Sequence, residues 1–253
     1  MGEAKKILDV IKDVRGQIRG SSFRKFCFSL GVMSHYALKK LKINVTNIPE
    51  VIIEKEGVLF ATRKNTVDFW MVWKNYEKDN FDKIKFLNPT KFVFVDVGAN
   101  IGAYSVSLAK KGFETYSFEP IKSNFDLLNK NLRLNDIKNA KTFNLAIGNE
   151  TAKKEIFFDD HKHGEGSLLI KKGNRKEVVQ VDKLDNLFKG KNLKKKILLK
   201  VDVEGFEFEV LKGAKNFIKK YRPIILIEVW NEDTKKFLLE NKYSPDGEFW
   251  YPK

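Results

Sequence analysis

From residue 92 onward, short apolar runs alternate with amphipathic runs of helix length, and this alternation constrains the fold more than any other feature. Residues 92–97, 114–118, 141–147, 197–203 and 224–229 read as strands, and 155–159 and 178–181 as two more flanking a loop. Residues 103–111, 123–134, 206–221 and 234–243 read as helices, with Ser123 as an N-cap. Strands interleaved with helices of this length imply an α/β architecture with a doubly wound, mostly parallel sheet. Ligands of such sheets bind at the carboxyl ends of the strands, where the strand order reverses.

The residues before 90 are organised differently. Ile7, Ile11, Val14 and Ile18 recur at helical spacing, as do Phe23, Phe26, Leu30, Met33, Ala37 and Leu41, with a break at 20–22. Residues 51–62 predict a hairpin around Glu56-Gly57, and 65–80 an aromatic-rich helix or helical turn. Its Trp70, Trp73 and Tyr76 belong either to a core or to an aromatic wall for a sugar or lipid. The expected organisation is a basic amphipathic helical arm at 1–42, a hairpin and helix cap at 43–90, and the main domain at 91–253.

Charge follows the same division. The net charge is +15, from 48 Lys and Arg against 33 Asp and Glu. Residues 1–42 carry ten basic and three acidic side chains; residues 43–90 carry seven of each. The arm can pack on the domain, bind a partner helix, dock on nucleic acid or lie on a membrane surface. Most of the excess is Lys, which suits general solvation better than phosphate recognition. The single cysteine, Cys27, excludes an internal disulfide and argues against a cysteine zinc site. No run is apolar enough for a transmembrane span, and the N-terminus lacks the apolar core of a signal peptide, so a cytoplasmic location is expected.

The stretch DVGANIG closes the strand at 92–97 with Asp96 and a glycine bend. Gly98 and Gly102 permit backbone conformations and close approaches closed to other residues, and Asn100 tolerates the left-handed region. The spacing is neither the dinucleotide pattern nor a P-loop, and Asp96 would repel a pyrophosphate. A carboxylate there suits a cation, such as the ammonium and sulfonium of S-adenosylmethionine. Glu119 ends the next strand 23 positions later, near the spacing of an acid that bonds ribose hydroxyls. The run NLAIG, with Asn144, Ala146 and Ile147, either walls an adenine ring or packs in the core.

In the run LLKVDVEGFEFEVLKGA, Lys200, Asp202 and Glu204 alternate, which puts them on one face at a strand's carboxyl end. Charges there are costly in a core but useful in a crevice, where they pair, bind a ligand or take a proton. Asp202, Glu204 and Lys200 are candidates for removing a proton or, through a cation, easing its loss; alternatively Asp202 and Glu204 only hold a ligand's ammonium and brace the loop. With Glu228 they would also offer hard oxygens to Mg²⁺, although no ligand set is visible. His161 and His163 lie with two Asp on a glycine-containing loop, which suggests a metal site or His163 as a general base, although solvated histidines are the commoner case.

The series DVGANIGAYSVSLA, FEP, LNKNLRLN, NLAIG, VDKLDNLF, LLKVDVEGFEFEVLKGA and RPIILIEV resembles the FkbM-type methyltransferases over roughly residues 50–230. The resemblance implies a Rossmann-like, class I methyltransferase fold with seven strands, the last antiparallel, and S-adenosylmethionine as donor. It also places Ala99, Tyr104 and Pro120, within the matching motifs, at the cofactor beside Asp96, Gly98, Asn100, Gly102, Glu119, Asn144, Ala146, Ile147 and Asp202. The implied reaction is O-methylation of a small-molecule, glycan or lipid acceptor. The alternatives are a nucleic-acid or protein methyltransferase docking through the basic arm, and a non-catalytic cofactor-binding protein.

Overall fold

The computed structural model describes residues 11–12, 16–40 (35–40 by backbone only), 48–73, 77–159, 168, 173–229 and 231–253. These residues form two compact units, one up to Lys78 and one from Asp79 onward.

In the first unit, β1 (Ile18–Arg19) precedes a long helix, Ser22–Lys40. The hairpin strands β2 (Ile52–Lys55) and β3 (Val58–Ala61) follow. β1 pairs antiparallel with β2, and β2 with β3. Ile18 was expected on a helix, but it pairs with Ile53 instead. Glu56 and Gly57 both have positive φ, 50° and 78°, as a two-residue hairpin turn requires. Of the helix or helical turn expected over 65–80, the structure forms a short helix, Asp68–Val72, which ends at the extended Trp73; a second helix is Lys78–Ile84. Phe69 packs against Phe28 at 4.8 Å and against Trp70 at 4.8 Å, so this aromatic cluster forms a core. Asp68 is fully buried and bound bidentately by Arg63, at 2.7 and 2.8 Å, which compensates the buried charge. Ile7, Val14, Leu41 and Tyr76 lie outside the described residues.

The second unit carries β4 (Phe92–Val97), β5 (Glu114–Phe118), β6 (Ala140–Phe143), β7 (Ala146–Ile147), β8 (Ala152–Phe158), β9 (Arg175–Asp182), β10 (Lys196–Val201), β11 (Ile224–Ile227), β12 (Tyr243–Asp246) and β13 (Phe249–Pro252). Seven of these form one sheet in the order β12-β13-β11-β10-β4-β5-β6. β6, β5, β4, β10 and β11 are mutually parallel; β13 runs antiparallel to β11. The chain winds outward from β4 through β5 to β6, then returns to β10 on the other side of β4. The order therefore reverses between β4 and β10. This is the doubly wound, mostly parallel, Rossmann-like sheet that the alternation predicted.

One face of the sheet presents Val93, Val95, Val97, Leu199, Val201, Ile225 and Ile227 to the helices that follow β10 and β11, through Val210, Leu211, Phe217 and Leu238. The expected helix over 206–221 is two, Glu207–Gly213 and Lys215–Tyr221, separated at Ala214. Gly213 lies so close to β7 that an added Cβ would sit 1.8 Å from the Gly148 carbonyl oxygen. The other face meets the helices Ala103–Lys110 and Lys122–Leu134. Helix Lys122–Leu134 starts one residue early, with Ile121 rather than Ser123 at its cap. The expected strand over 141–147 splits at Asn144, and Ala146–Ile147 joins a separate sheet by pairing with β9. The last helix is Glu232–Glu240, capped by the Asn231 side chain. Tyr243 belongs to β12, and the β12–β13 hairpin had no counterpart in the sequence periodicity.

Gly213→Ala must push its helix off β7. It should cost about 3 kcal/mol of unfolding free energy in chemical denaturation. A cost near zero would mean that this close approach does not exist.

Candidate functional site at the carboxyl ends of the strands

Register places Lys200 on β10, Asp96 on β4, Ser117 on β5 and Thr142 on β6 in one row on one face. The same row continues as the apolar Leu226 and Phe249 on the other side and ends at the exposed Asp246 on the edge strand. Lys200 and Asp96 are both almost fully buried, at 4% and 1% exposure. Buried charges persist only when bonded. Lys200 Nζ donates to Asp202 Oδ2 at 2.7 Å and lies 5.0 Å above the Tyr104 ring. Ser105 Oγ donates to Asp96 Oδ2 at 2.5 Å and lies 2.6 Å from Ser117 Oγ. Tyr104, buried at the start of helix Ala103–Lys110, stacks on Phe81 at 4.2 Å.

The loop after β4 is shaped by backbone contacts. Gly98 has φ 84°, and an added Cβ would lie 1.8 Å from the Asp202 carbonyl oxygen. The tips of β4 and β10 therefore touch, tied further by the bond from Asp202 N to Val97 O at 3.0 Å. Gly98 N and Ala99 N both donate to Phe118 O, which ties β4's tip to that of β5. Asn100 adopts φ 49°, and Asn131 Nδ2 holds the Ile101 carbonyl at 2.9 Å.

Glu119 lies past the tip of β5. Its Oε2 accepts from Asn100 N at 2.8 Å, and its Oε1 from Ile121 N at 2.9 Å and from Asn124 Nδ2 at 3.4 Å. Burial raises its pKa from 4.5 to about 7, against the lowering effect of these bonds, and the charge of Asp96 adds to the rise. Asn144 Nδ2 donates to the carbonyls of Glu119 and Pro120, at 2.9 and 2.8 Å, and so braces the acid's loop.

The structure thus joins Asp96, Gly98, Ala99, Asn100, Gly102, Tyr104, Glu119, Pro120, Asn144, Lys200 and Asp202 in one network across three strand tips. Ala146 and Ile147 are buried in two apolar clusters next to it in sequence. Glu204 sits in the turn beyond Asp202 at φ 52°, and Glu228 is exposed just past β11. His161 and His163 lie outside the described residues. Among the described residues, no group of three or more His, Cys, Asp or Glu side chains is placed to hold a metal ion.

Glu207 was not singled out in the sequence. It is 1% exposed, and its Oε1 accepts from Val203 N at 3.3 Å and Gly205 N at 3.0 Å, fixing the turn that carries Asp202 and Glu204. The signal was present in V-E-G-F-E: an acid in the first helical turn after a glycine bend is a capping pattern. Ser105 and Ser117 were also missed, because a serine inside an apolar run carries no mark of its bonding partner.

A Rossmann-like sheet with acidic tips around its switch point belongs to the class of folds that bind nucleotide-like ligands at that crevice. Residues 96–245 match the methyltransferase FkbM domain, and the chain belongs to that family. It is 27% identical over 219 residues to methyltransferase sdnD of Sordaria araneosa, covering 74% of this chain and 83% of that protein. It is 30% identical over 167 residues to hexuronic acid methyltransferase AglP of Haloferax volcanii, covering 61% of this chain and 64% of that one. Among solved structures it is similar to the methyltransferase FkbM of Methylobacillus flagellatus KT, with a TM-score of 0.42 and 24% identity over 59% of this chain and 36% of that one.

With a folded pKa near 7 against 4.5, Glu119 does not oppose folding below pH 4.5. Its destabilising effect grows as pH rises and is complete above pH 7, on the order of 3 kcal/mol. Glu119→Gln should therefore stabilise the fold more at pH 8 than at pH 5 in denaturant titrations. Equal effects at the two pH values would contradict the buried carboxylate.

Proposed function

We propose that the chain transfers a methyl group from S-adenosylmethionine to an oxygen of a small-molecule, glycan or lipid acceptor. The reading rests on one observation: in a chain of the FkbM family, the strand tips that carry Asp96, Glu119 and Asp202 are tied together by backbone bonds at the switch point. The donor set fits the cofactor. A carboxylate offers about four acceptor positions, and Glu119 uses three of them within the protein, keeping capacity for a ribose hydroxyl. Asp96 supplies negative charge toward the methionine part, directly or through water. Gly98, Ala99, Asn100 and Gly102 set the loop along which the cofactor lies, and Asn144, Ala146 and Ile147 border the adenine. The acceptor class takes support from the similarity to a hexuronic acid methyltransferase.

S-adenosylmethionine supplies a methyl group on a sulfonium; the protein positions the acceptor oxygen in line with it and removes its proton. Asp202 is the proton acceptor in this reading, because its side chain is 41% exposed while that of Lys200 is 6% exposed. Lys200 is a positioning residue: its ammonium holds one Asp202 oxygen and leaves the other for the acceptor. Glu204, in the turn beyond Asp202, and His163 are further candidate bases. Residues 91–253 form the catalytic domain, and 1–42 and 43–90 serve as accessory elements.

Asp96→Asn and Glu119→Ala should each weaken S-adenosylmethionine binding at least tenfold in calorimetry, and wild-type affinity should rise about tenfold from pH 6 to pH 8 as Glu119 ionises. Unchanged affinity in both variants would remove the site. Asp202→Asn should cut turnover on a labelled-methyl assay while leaving the donor bound. Label appearing only in the RNA or protein fraction of a cell extract would replace the proposed acceptor.

A further inference from the structure

The helix Ser22–Lys40 shows two opposite apolar sides. Phe28 and Val32 are fully buried. Phe23, Phe26, Leu30 and Met33 are 73%, 53%, 49% and 51% exposed. At 3.6 residues per turn these four fall within an arc of about 80°, nearly opposite Phe28 and Val32, along about 15 Å of helix. Four large apolar side chains aligned on one exposed stripe are unusual for a surface with nothing to cover it.

The sequence that carries the stripe is equally one-sided in charge. From Val14 to Pro49 the sequence holds seven Lys and Arg and no Asp or Glu. A spread at the chain average would place about five acids there. The stripe therefore lies in a stretch of sequence with basic and no acidic side chains, of which Arg19 is paired with Glu54.

We propose that this face docks on the surface of an anionic lipid bilayer. Apolar side chains sink into the headgroup boundary while neighbouring basic groups meet lipid phosphates and carboxylates, the pairing that holds interfacial helices on membranes. No helix among the described residues is long and apolar enough to cross a membrane, so the helix lies on the surface rather than spanning it. Nucleic acid would reward the cations but leave the four apolar side chains without a function. A second copy would bring two like-charged cationic segments together. The bilayer alone uses both properties of the stripe. The surface is separate from the methyl-transfer site and does not depend on that reading.

The test is co-sedimentation of the full chain with vesicles of phosphatidylcholine containing 30% phosphatidylserine, and with phosphatidylcholine alone. Binding should be at least tenfold stronger to the anionic vesicles and should fall with salt. The double variant Phe26→Asp/Leu30→Asp should lose at least tenfold in binding. Phe23→Ser/Met33→Ser, a milder change on the same stripe, should lose several-fold, with circular dichroism confirming that both fold. Equal binding to the two vesicle types, or retention by both variants, would overturn the proposal. So would a doubled mass in sedimentation velocity that the variants abolish, which would assign the face to a second copy. Calorimetric titration of the same variants with S-adenosylmethionine reads the other site independently, so failure of either reading is distinguishable.

Discussion

The rest of the second unit depends on a row of polar side chains inside an otherwise apolar sheet. Lys200 and Asp96 face the same side of adjacent strands and are excluded from water. An unpaired charge in that position would cost several kcal/mol. Each is bonded instead, Lys200 to Asp202 and Asp96 to Ser105, and each partner belongs to an element that the row must hold in place. Ser105 fixes helix Ala103–Lys110 over β4. Asp202 fixes the turn after β10. The row therefore converts burial of charge into the relative position of the strand tips.

The tips carry the backbone strain of the site. Asn100 and Glu204 are non-glycine residues at positive φ, one after β4 and one after β10, and each is followed or preceded by glycines in the same region. Such conformations cost about 1–2 kcal/mol for a residue with a Cβ. They persist because their surroundings overdetermine them. Asn100 N is held by Glu119, and Gly205 N by Glu207. Two buried carboxylates thus serve as braces for two strained turns, which explains why acids recur just past the ends of apolar strands.

How much of this was legible in the sequence follows from the same distinction. The strands β4, β10 and β11 were legible because they are mostly apolar runs, and β5 because its aromatic residues alternate with polar ones between two helix-length segments. The acids Asp96, Glu119 and Asp202 were legible because each breaks such a run at its end. What failed was local. Periodicity took 206–221 as one helix, because the reason for the break is the approach of Gly213 to Gly148, about 65 residues away in sequence. It took 141–147 as one strand, because nothing in the run marks that the ladder with β5 ends at Phe143 and that the Asn144 side chain bonds carbonyls on the β5 loop. It missed β12 and β13, because a short hairpin containing Pro245, Gly247 and Pro252 has weak strand propensity and is stabilised by pairing with β11.

Glu119 and Glu207 show why such a site is costly to hold. Both are buried, and neither is paired with a cation in the described contacts; backbone amides bind them instead. Amides lower a carboxyl's pKa, yet burial still dominates at Glu119. At Glu207, Oε2 is buried with no hydrogen-bond partner among the described residues. A sequence selected only for stability would replace both acids with neutral side chains of similar shape. Their retention makes physical sense if the turns they hold must stay fixed while a ligand meets them, because a turn braced by a desolvated carboxylate cannot relax without leaving that charge unbonded. The destabilisation at Glu119 and the rigidity of the loop after β4 are then two consequences of one placement of charge.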